Sequence, residues 1–249
     1  MRILLVGDVH GNTPWWANFV TPAAHMLNAD LVFQLGDFGY WPRGEDFLEA
    51  VATTGVPVAF LDGNHEHHPF LQETVQGRRE PVQVSENLCY VPRGCHLIWS
   101  GVEVAILGGA HSIDRALRTP GRDWFLEEAV TNADLEHLAG NGTAQVLLSH
   151  DAPMCADVPL SAREELPGAW YQELPACDEH RMRLNEALDI VQPRIMVHGH
   201  YHVRYEADVT RPWGTTHVKG LSQDGTGVGN LAMLECDRGL ASLRWVAER

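Results

Sequence analysis

At 249 residues, with 45% hydrophobic and 20% charged side chains, the chain is long enough for a substantial buried core and has the composition of an ordinary globular protein. Eighteen Lys+Arg against 33 Asp+Glu give a formal net charge of −15, a field that repels duplex DNA or long RNA and favours a small ligand. No run approaches the ~18 apolar residues of a membrane span, and no repeat or low-complexity tract appears.

Residues 3–6 are a short apolar run rich in branched side chains, the pattern of a buried strand. Thr13-Pro14 offers an N-cap and a proline for the first helical position, predicting a helix through Asn28 that Pro22 would kink or break. Strands at 31–35 and 56–61 flank a helix at 45–53, so the first half reads as parallel β-α-β units. The spacing then tightens to strands at 88–91, 96–99 and 102–107, followed by a short helix at 134–139 and a buried strand at 145–149. Residues 151–177 are proline-rich without a clean period, which predicts a long loop over one face.

Asp178 is placed to cap the next helix, where Leu184, Ala187, Leu188 and Val191 recur at helical spacing. Pro193 ends it, and strands at 194–197, 203–209, 215–219, 230–235 and 240–246 complete the chain. Two sheets packed together and flanked by helices, an α/β architecture, account for this order, with no boundary dividing 1–249 into two domains. The five cysteines (Cys89, Cys95, Cys155, Cys177, Cys236) never form a Cys-x-x-Cys pair, so neither structural zinc nor a disulfide framework is expected. With an opening apolar run too short for a signal peptide, they place the chain in the reducing cytoplasm. No residue pattern specifies an oligomeric state.

Candidate metal donors arrive in short clusters where apolar runs give way to loops. They are Gly7-Asp8-Val9-His10-Gly11, Gly36-Asp37, Gly63-Asn64-His65-Glu66, Ser149-His150-Asp151 and Gly199-His200-Tyr201-His202. Singly, each is commoner as an ordinary polar turn than as a metal site. In parallel sheets, however, loops at the carboxyl ends of strands gather on one edge, so residues far apart in sequence can converge there. Asp, His and Asn together suit a pair of first-row divalent metals, and such a pair is a device for hydrolysing phosphate esters. Two such ions would return about four positive charges locally, letting a small anionic ester bind despite the acidic surface.

The combined pattern Asp8-x-His10, Gly36-Asp37, Gly63-Asn64-His65-Glu66, His150 and Gly199-His200-x-His202 resembles the signature of the calcineurin-like metallophosphoesterases. Gly108-Gly109-Ala110-His111-Ser112-Ile113-Asp114 and Ser149-His150-Asp151-Ala152-Pro153 are similar to the small bacterial and phage members. The resemblance implies a four-layer α-β-β-α sandwich of two mixed sheets flanked by helices. It implies Asp8, His10 and His202 on a first metal, Asp37 bridging, and Asn64, His150 and His200 completing a second. His65 would stand beside them as acid and phosphate contact. The implied cofactors are two divalent ions, manganese first, with iron, zinc, nickel or cobalt as alternatives. The implied activity is hydrolysis of small phosphodiesters or phosphomonoesters, of nucleotide type and including cyclic nucleotides, by a hydroxide shared between the metals.

Beyond the clusters, Arg115, Arg118 and Arg122 carry the fork geometry that suits phosphate, and Arg118, with Asn64, is the expected substrate contact. Glu66 and Asp151 are candidates to orient neighbouring imidazoles, or else surface turn residues. Trp15-Trp16, Trp41, Trp124 and Trp170 are candidates for stacking on a base, Tyr40-Trp41 just after Asp37 foremost, with packing under loops as the default. His111 and His217 follow strands, while His25, His67, His68, His137 and His180 read as surface or structural residues.

Three alternatives stand beside a small-ester hydrolase. A serine/threonine protein phosphatase would need an Asp-Arg-Gly where this chain has Phe38-Gly39-Tyr40-Trp41-Pro42-Arg43-Gly44. A nuclease or phosphatase of nucleic-acid ends would usually add a capping domain. A non-catalytic scaffold would not need every ligand position and His65 filled.

Overall fold

The computed structural model describes residues 1–159, 168–227 and 229–246. The chain runs through β1 (Arg2–Val6), α1 (Thr13–Trp15), a π-helical turn (Trp16–Val20), α2 (Thr21–Met26), β2 (Leu31–Leu35), α3 (Glu45–Ala52), β3 (Val58–Leu61) and α4 (His68–Val75). Next come β4 (Val82–Ser85), β5 (Leu88–Tyr90), β6 (His96–Trp99), β7 (Val102–Leu107), α5 (Asn132–Asn141), β8 (Val146–Ser149) and α6 (Gly168–Tyr171). It closes with α7 (Leu174–Val191), β9 (Ile195–His198), β10 (Tyr205–Arg211), β11 (Gly214–Gly220), β12 (Leu231–Asp237) and β13 (Leu240–Trp245).

The strands form a 7-stranded sheet, ordered β13-β12-β1-β2-β3-β5-β4, and a 6-stranded sheet, ordered β10-β11-β9-β8-β7-β6. Each has a parallel centre, β1-β2-β3-β5 in one and β7-β8-β9-β11 in the other. Antiparallel strands flank both.

Side-chain alternation decides the layering. Ile3 and Leu5 of β1 pack with Val104, Ile106, Leu148 and Val197 of the second sheet. Their neighbours Leu4 and Val6 face the other way, onto Trp16, Val20, Phe47 and Val51. In the second sheet, Ala105, Leu107, Leu147 and Met196 pack against Leu135 and Leu138 of α5 and Leu184 and Leu188 of α7. The result is an α-β-β-α sandwich whose central strands are apolar on both faces, as parallel strands covered on both sides must be.

Several local expectations change. Asn12, not Thr13, caps the first helix, its side chain accepting from Trp15 N at 3.0 Å. Pro22 does not end the helical run, because the π-helical turn precedes it and leaves it in the first turn of α2, where a missing N–H is least costly. The last long helix starts at Leu174 rather than at Asp178: Pro175 supplies the preset φ of a first turn, and no side-chain cap is used. The expected loop over 151–177 is therefore interrupted by α6 and by the start of α7, and its residues 160–167 lie outside the described ones. α4 went unrecognised because its cap is His67, whose Nδ1 accepts from Phe70 N, rather than a hydroxyl or a carboxylate.

One ion pair ties the loop after β7 to the edge of the first sheet. Asp62 follows β3, and its Oδ2 accepts from Nε and Nη2 of Arg93 at 2.9 and 2.5 Å, while Tyr90 donates to Oδ1 at 2.9 Å. Arg93 also donates to the carbonyls of Glu127, Glu128 and Ala129. Burial alone would raise the Asp62 carboxyl, but the guanidinium overrides it and holds it below the ordinary value. Arg93→Met strands a buried carboxylate and should cost about 3–5 kcal/mol at pH 7 in urea unfolding. That gap should narrow on acidification. Asp62 of the variant, raised by burial, is relieved by protonation first, whereas wild type loses its Asp62 contribution only below about pH 3.9. A gap constant from pH 7 to pH 4 would contradict this account.

Candidate metal centre

The carboxyl ends of β1, β2, β3, β8 and β9 deliver the donor clusters to one edge of the sandwich. Of the nine non-glycine residues in left-handed backbone among the described residues, four lie here, His10, Asp37, His200 and His202, with φ of 51, 53, 68 and 56°. Each such residue costs on the order of 1–2 kcal/mol, and the clustering of that strain at one edge marks a functional site. Close packing is equally demanding. A Cβ at Gly63 would lie 2.2 Å from Asp37 Oδ1, and one at Gly199 would lie 2.2 Å from Asp8 Oδ1.

Two donor groups share one carboxylate. One ligand atom each from Asp8, His10, Asp37 and His202 lie within 4.8 Å of one another, and the same is true of Asp37, His150 and His200. His202 Nε2 is 3.0 Å from Asp8 Oδ2, His10 Nε2 is 3.6 Å from Asp37 Oδ2, and His150 Nε2 is 3.4 Å from Asp37 Oδ1. His150 donates Nδ1–H to Leu35 O at 2.7 Å, which leaves Nε2 facing the cluster. Asn64 joins this second group: its Nδ2 donates to Ser112 Oγ at 3.0 Å, turning Oδ1 to within 3.1 Å of His150 Nε2. Ser112 is in turn held by both carboxylate oxygens of buried Glu128.

The electrostatics ask for positive charge at the centre. Burial alone would lower the imidazoles, yet Asp37 and Asp8 override it and raise His10 to about 9 and His150 to about 10. Asp37 itself, despite burial, is held well below the ordinary carboxylate range by His65 and His150. His200 moves the other way, pushed down to about 4 by burial. Mixed oxygen and nitrogen donors around two buried carboxylates fit divalent first-row cations, and the residues present could hold two of them.

His65 sits at the mouth, partly exposed, with its backbone N–H donating to Asp37 Oδ1 at 2.8 Å. Nη2 of Arg118 lies 2.7 and 2.6 Å from its two ring nitrogens, and Asp114 grips Arg118 at 2.8 Å. Burial pushes His65 down, with Arg118 and His10 adding to the shift against Asp37. Of the three arginines, only Arg118 reaches the cluster. Arg115 covers the Trp124 ring and pairs with Glu173, and Arg122 pairs with Asp123 at the surface.

Other assignments are corrected. Glu66 orients no imidazole; its carboxylate accepts from the N–H groups of Phe38, Gly39 and Gly63 and so clamps the Asp37 and Asn64 loops together. Burial and neighbouring Asp37 push its pKa up to about 8. Asp151 accepts from Tyr201 OH at 2.8 Å and from His180 Nδ1 at 2.6 Å, so it braces the loop between His200 and His202 rather than either imidazole. Tyr40 is buried and stacked on Phe70, while Trp41 donates to the His65 carbonyl at 2.7 Å and meets His67 edge-on, so Tyr40 offers no free stacking face and Trp41 packs against the loop that carries His65. His111 binds Glu173 and His217 binds Asp208, so neither joins the donor groups. Asp224 went unnoticed, because a lone acid in a Gln-Asp-Gly turn carries no signal. It lies 3.2 Å from His10 Nδ1.

A cleft of about 460 Å³ opens from the donor groups. Asp37, Asn64, His65 and His200 line it on the polar side, and Ile113, Trp170, Leu174 and Val203 give it an apolar wall.

Comparison with known proteins bears on this geometry. No curated protein matches the sequence. Among solved structures, a dimetal phosphatase from Danio rerio is similar with a TM-score of 0.59 at 13% identity, covering 98% of this chain and 95% of that one. A phosphatase from Mycoplasma pneumoniae reaches a TM-score of 0.47 at 12% identity, over 99% of this chain and 93% of that one, too distant to carry an argument. At these identities the likeness is one of fold alone. The sequence itself goes further, since residues 1–204 match the family described as calcineurin-like phosphoesterase. A match over that share of the chain, ending just past the last of the candidate ligands, shows that this protein belongs to the calcineurin-like phosphoesterases, hydrolases that act on phosphoesters with the help of two metal ions.

Proposed function

We propose that this chain hydrolyses small phosphodiesters or phosphomonoesters of nucleotide type, cyclic nucleotides among them, with manganese as its first-choice metal. Asp8, His10 and His202 would hold one ion, Asn64, His150 and His200 the other, and Asp37 both. The observation that carries the reading is the shared position of Asp37 between two donor groups. Two ions bound there would neutralise phosphoryl oxygens and make water a nucleophile at neutral pH.

The chain's own residues supply the rest. Arg118, braced by Asp114, presents Nη2 at the edge of the His65 ring, where a phosphoryl oxygen would take over its hydrogen bonds. That exchange removes a cation from the imidazole and adds an anion, so His65 gains the proton it must give to the leaving oxygen. Asn64 offers its amide to the same oxygens. A general acid contributes about 10²–10⁴ in rate, against a demand of up to ~10²¹ for phosphate ester hydrolysis. His65 is therefore a secondary contributor, and charge neutralisation with positioning dominates.

The apolar wall of Ile113, Trp170, Leu174 and Val203 suits the planar organic part of an ester better than a phosphopeptide or an extended polyphosphate. The net charge of −15 works against long nucleic acid. Five free cysteines suit a cytoplasmic setting, and no described helix is long and apolar enough to cross a membrane.

Three outcomes check this reading. His65→Ala should keep its metal and lose about 10²–10⁴ in rate on alkyl esters, with a much smaller loss on nitrophenyl esters whose leaving group scarcely needs a proton; equal losses would reject the acid role. Asp37→Asn should bind less than two equivalents of manganese by metal analysis, and full occupancy would remove the bridging assignment. Trp170→Ala should raise KM for nucleotide esters about tenfold, in line with ~1–3 kcal/mol for base stacking, while methyl phosphate esters are unaffected. A uniform change across both substrates would show that the wall does not read the organic group.

A further inference from the structure

We propose that Asp224 is a positioning residue for His10, holding Nδ1–H so that Nε2 is the nitrogen presented to a metal; this rests on the dinuclear reading above. Asp224 lies beyond residue 204, where the family match ends, in the connection between β11 of the second sheet and β12 of the first.

The geometry leaves the carboxylate little freedom. Oδ1 accepts from His10 Nδ1 at 3.2 Å, and Oδ2 accepts from Asn12 Nδ2 at 2.5 Å. The backbone N–H of Asp224 donates to the Asp8 carbonyl at 2.7 Å. Asn12 is itself fixed, because its Oδ1 caps α1 through Trp15 N. Each oxygen thus has its own partner, and rotating the carboxylate away from His10 would also break the Asn12 contact. One oxygen and the amide of Asp224 thus engage the donor residues His10 and Asp8, while Asn12 holds the other oxygen.

His10 needs such a hold. Its backbone is left-handed, at φ 51°, so no helix or strand fixes its direction. Apart from Asp37, 3.6 Å from Nε2, its ring neighbours are the edges of His65 and His202, at centroid distances of 5.7 and 5.1 Å, and these are themselves partly exposed. A neutral imidazole carries its proton on either nitrogen, and only the Nδ1–H form leaves Nε2 with a lone pair. An acceptor at Nδ1 selects that form and raises the basicity of the ligand nitrogen. His150 shows the same device in this chain, with Leu35 O in the accepting role at 2.7 Å.

Removal of a partner of this kind typically costs 10–100-fold in metal affinity. The test titrates manganese into metal-free wild type, Asp224→Asn, Asp224→Ala and His10→Ala by calorimetry, with the Tm of each metal-free protein measured alongside. Asparagine is isosteric, but it must offer an N–H either to Asn12 or to His10, so it loses one of the two acceptors. The expected result is one manganese site weakened ten- to hundredfold in both Asp224 variants, the other site retained, and the metal-free Tm within a few degrees of wild type. Unchanged affinity at both sites, with His10→Ala losing one, would overturn the role of Asp224 and leave the dinuclear reading intact. Loss of both sites together with a fallen metal-free Tm would also overturn it, by assigning Asp224 to the scaffold. If His10→Ala itself binds two manganese ions normally, the failure lies with the dinuclear reading.

Discussion

Two carboxylates, Asp8 and Asp37, are buried at the same edge of the sandwich, and the surrounding structure answers that cost. An isolated buried carboxylate is strongly disfavoured unless it is paired and hydrogen-bonded. Here the backbone N–H of His200 donates to Asp8 and that of His65 donates to Asp37. The imidazoles of His10 and His150, both raised by these carboxylates, face them at 3.6 and 3.4 Å from Asp37. Carboxylates and imidazoles facing one another in this way suit cations placed between them.

Geometry follows from that constraint. Donors at the ends of five strands can aim at one point only if their loops turn sharply, so His10, Asp37, His200 and His202 adopt backbone that side chains normally avoid. Strain of this kind persists when neighbouring contacts over-determine it. Glu66 gives the clearest instance, since one carboxylate fixes three backbone N–H groups from two different ligand loops. The wide apolar interface between the sheets supplies the rigid base from which the loops can be bent.

Much of this was legible in the sequence, for a specific reason. The candidate metal donors sit at or just past the ends of short branched runs, and a continuous apolar run is a local property, so strands such as Leu31–Leu35 and Val102–Leu107 were readable to the residue. Residues that act across the fold left no such trace. Glu66 looks like an imidazole partner in sequence because it follows His65, but two of the three N–H groups that donate to it lie on backbone 27 and 28 positions away. Asp151 finds His180 and Tyr201 through the packing of α7 against the second sheet, which no local pattern encodes. Arg118 differs from Arg115 and Arg122 only through Asp114, whose grip directs it inward.

The part of the chain past the family match is the most instructive. β12 pairs antiparallel with β1 from Arg2↔Glu235 to Val6↔Leu231, so the strand that launches Asp8 and His10 is clamped between β12 and β2. β11 pairs parallel with β9, which launches His200 and His202, and thereby fixes the other side of the site. The chain must cross from one sheet to the other between β11 and β12, and that crossing passes directly over the Asp8 carbonyl and the His10 ring. A segment that contributes none of the signature residues thus braces the two strands that lead into His10 and His202. The site is consequently a property of the closed sandwich rather than of its signature residues alone, and the residues that tune it are to be found where the sheets are stitched together.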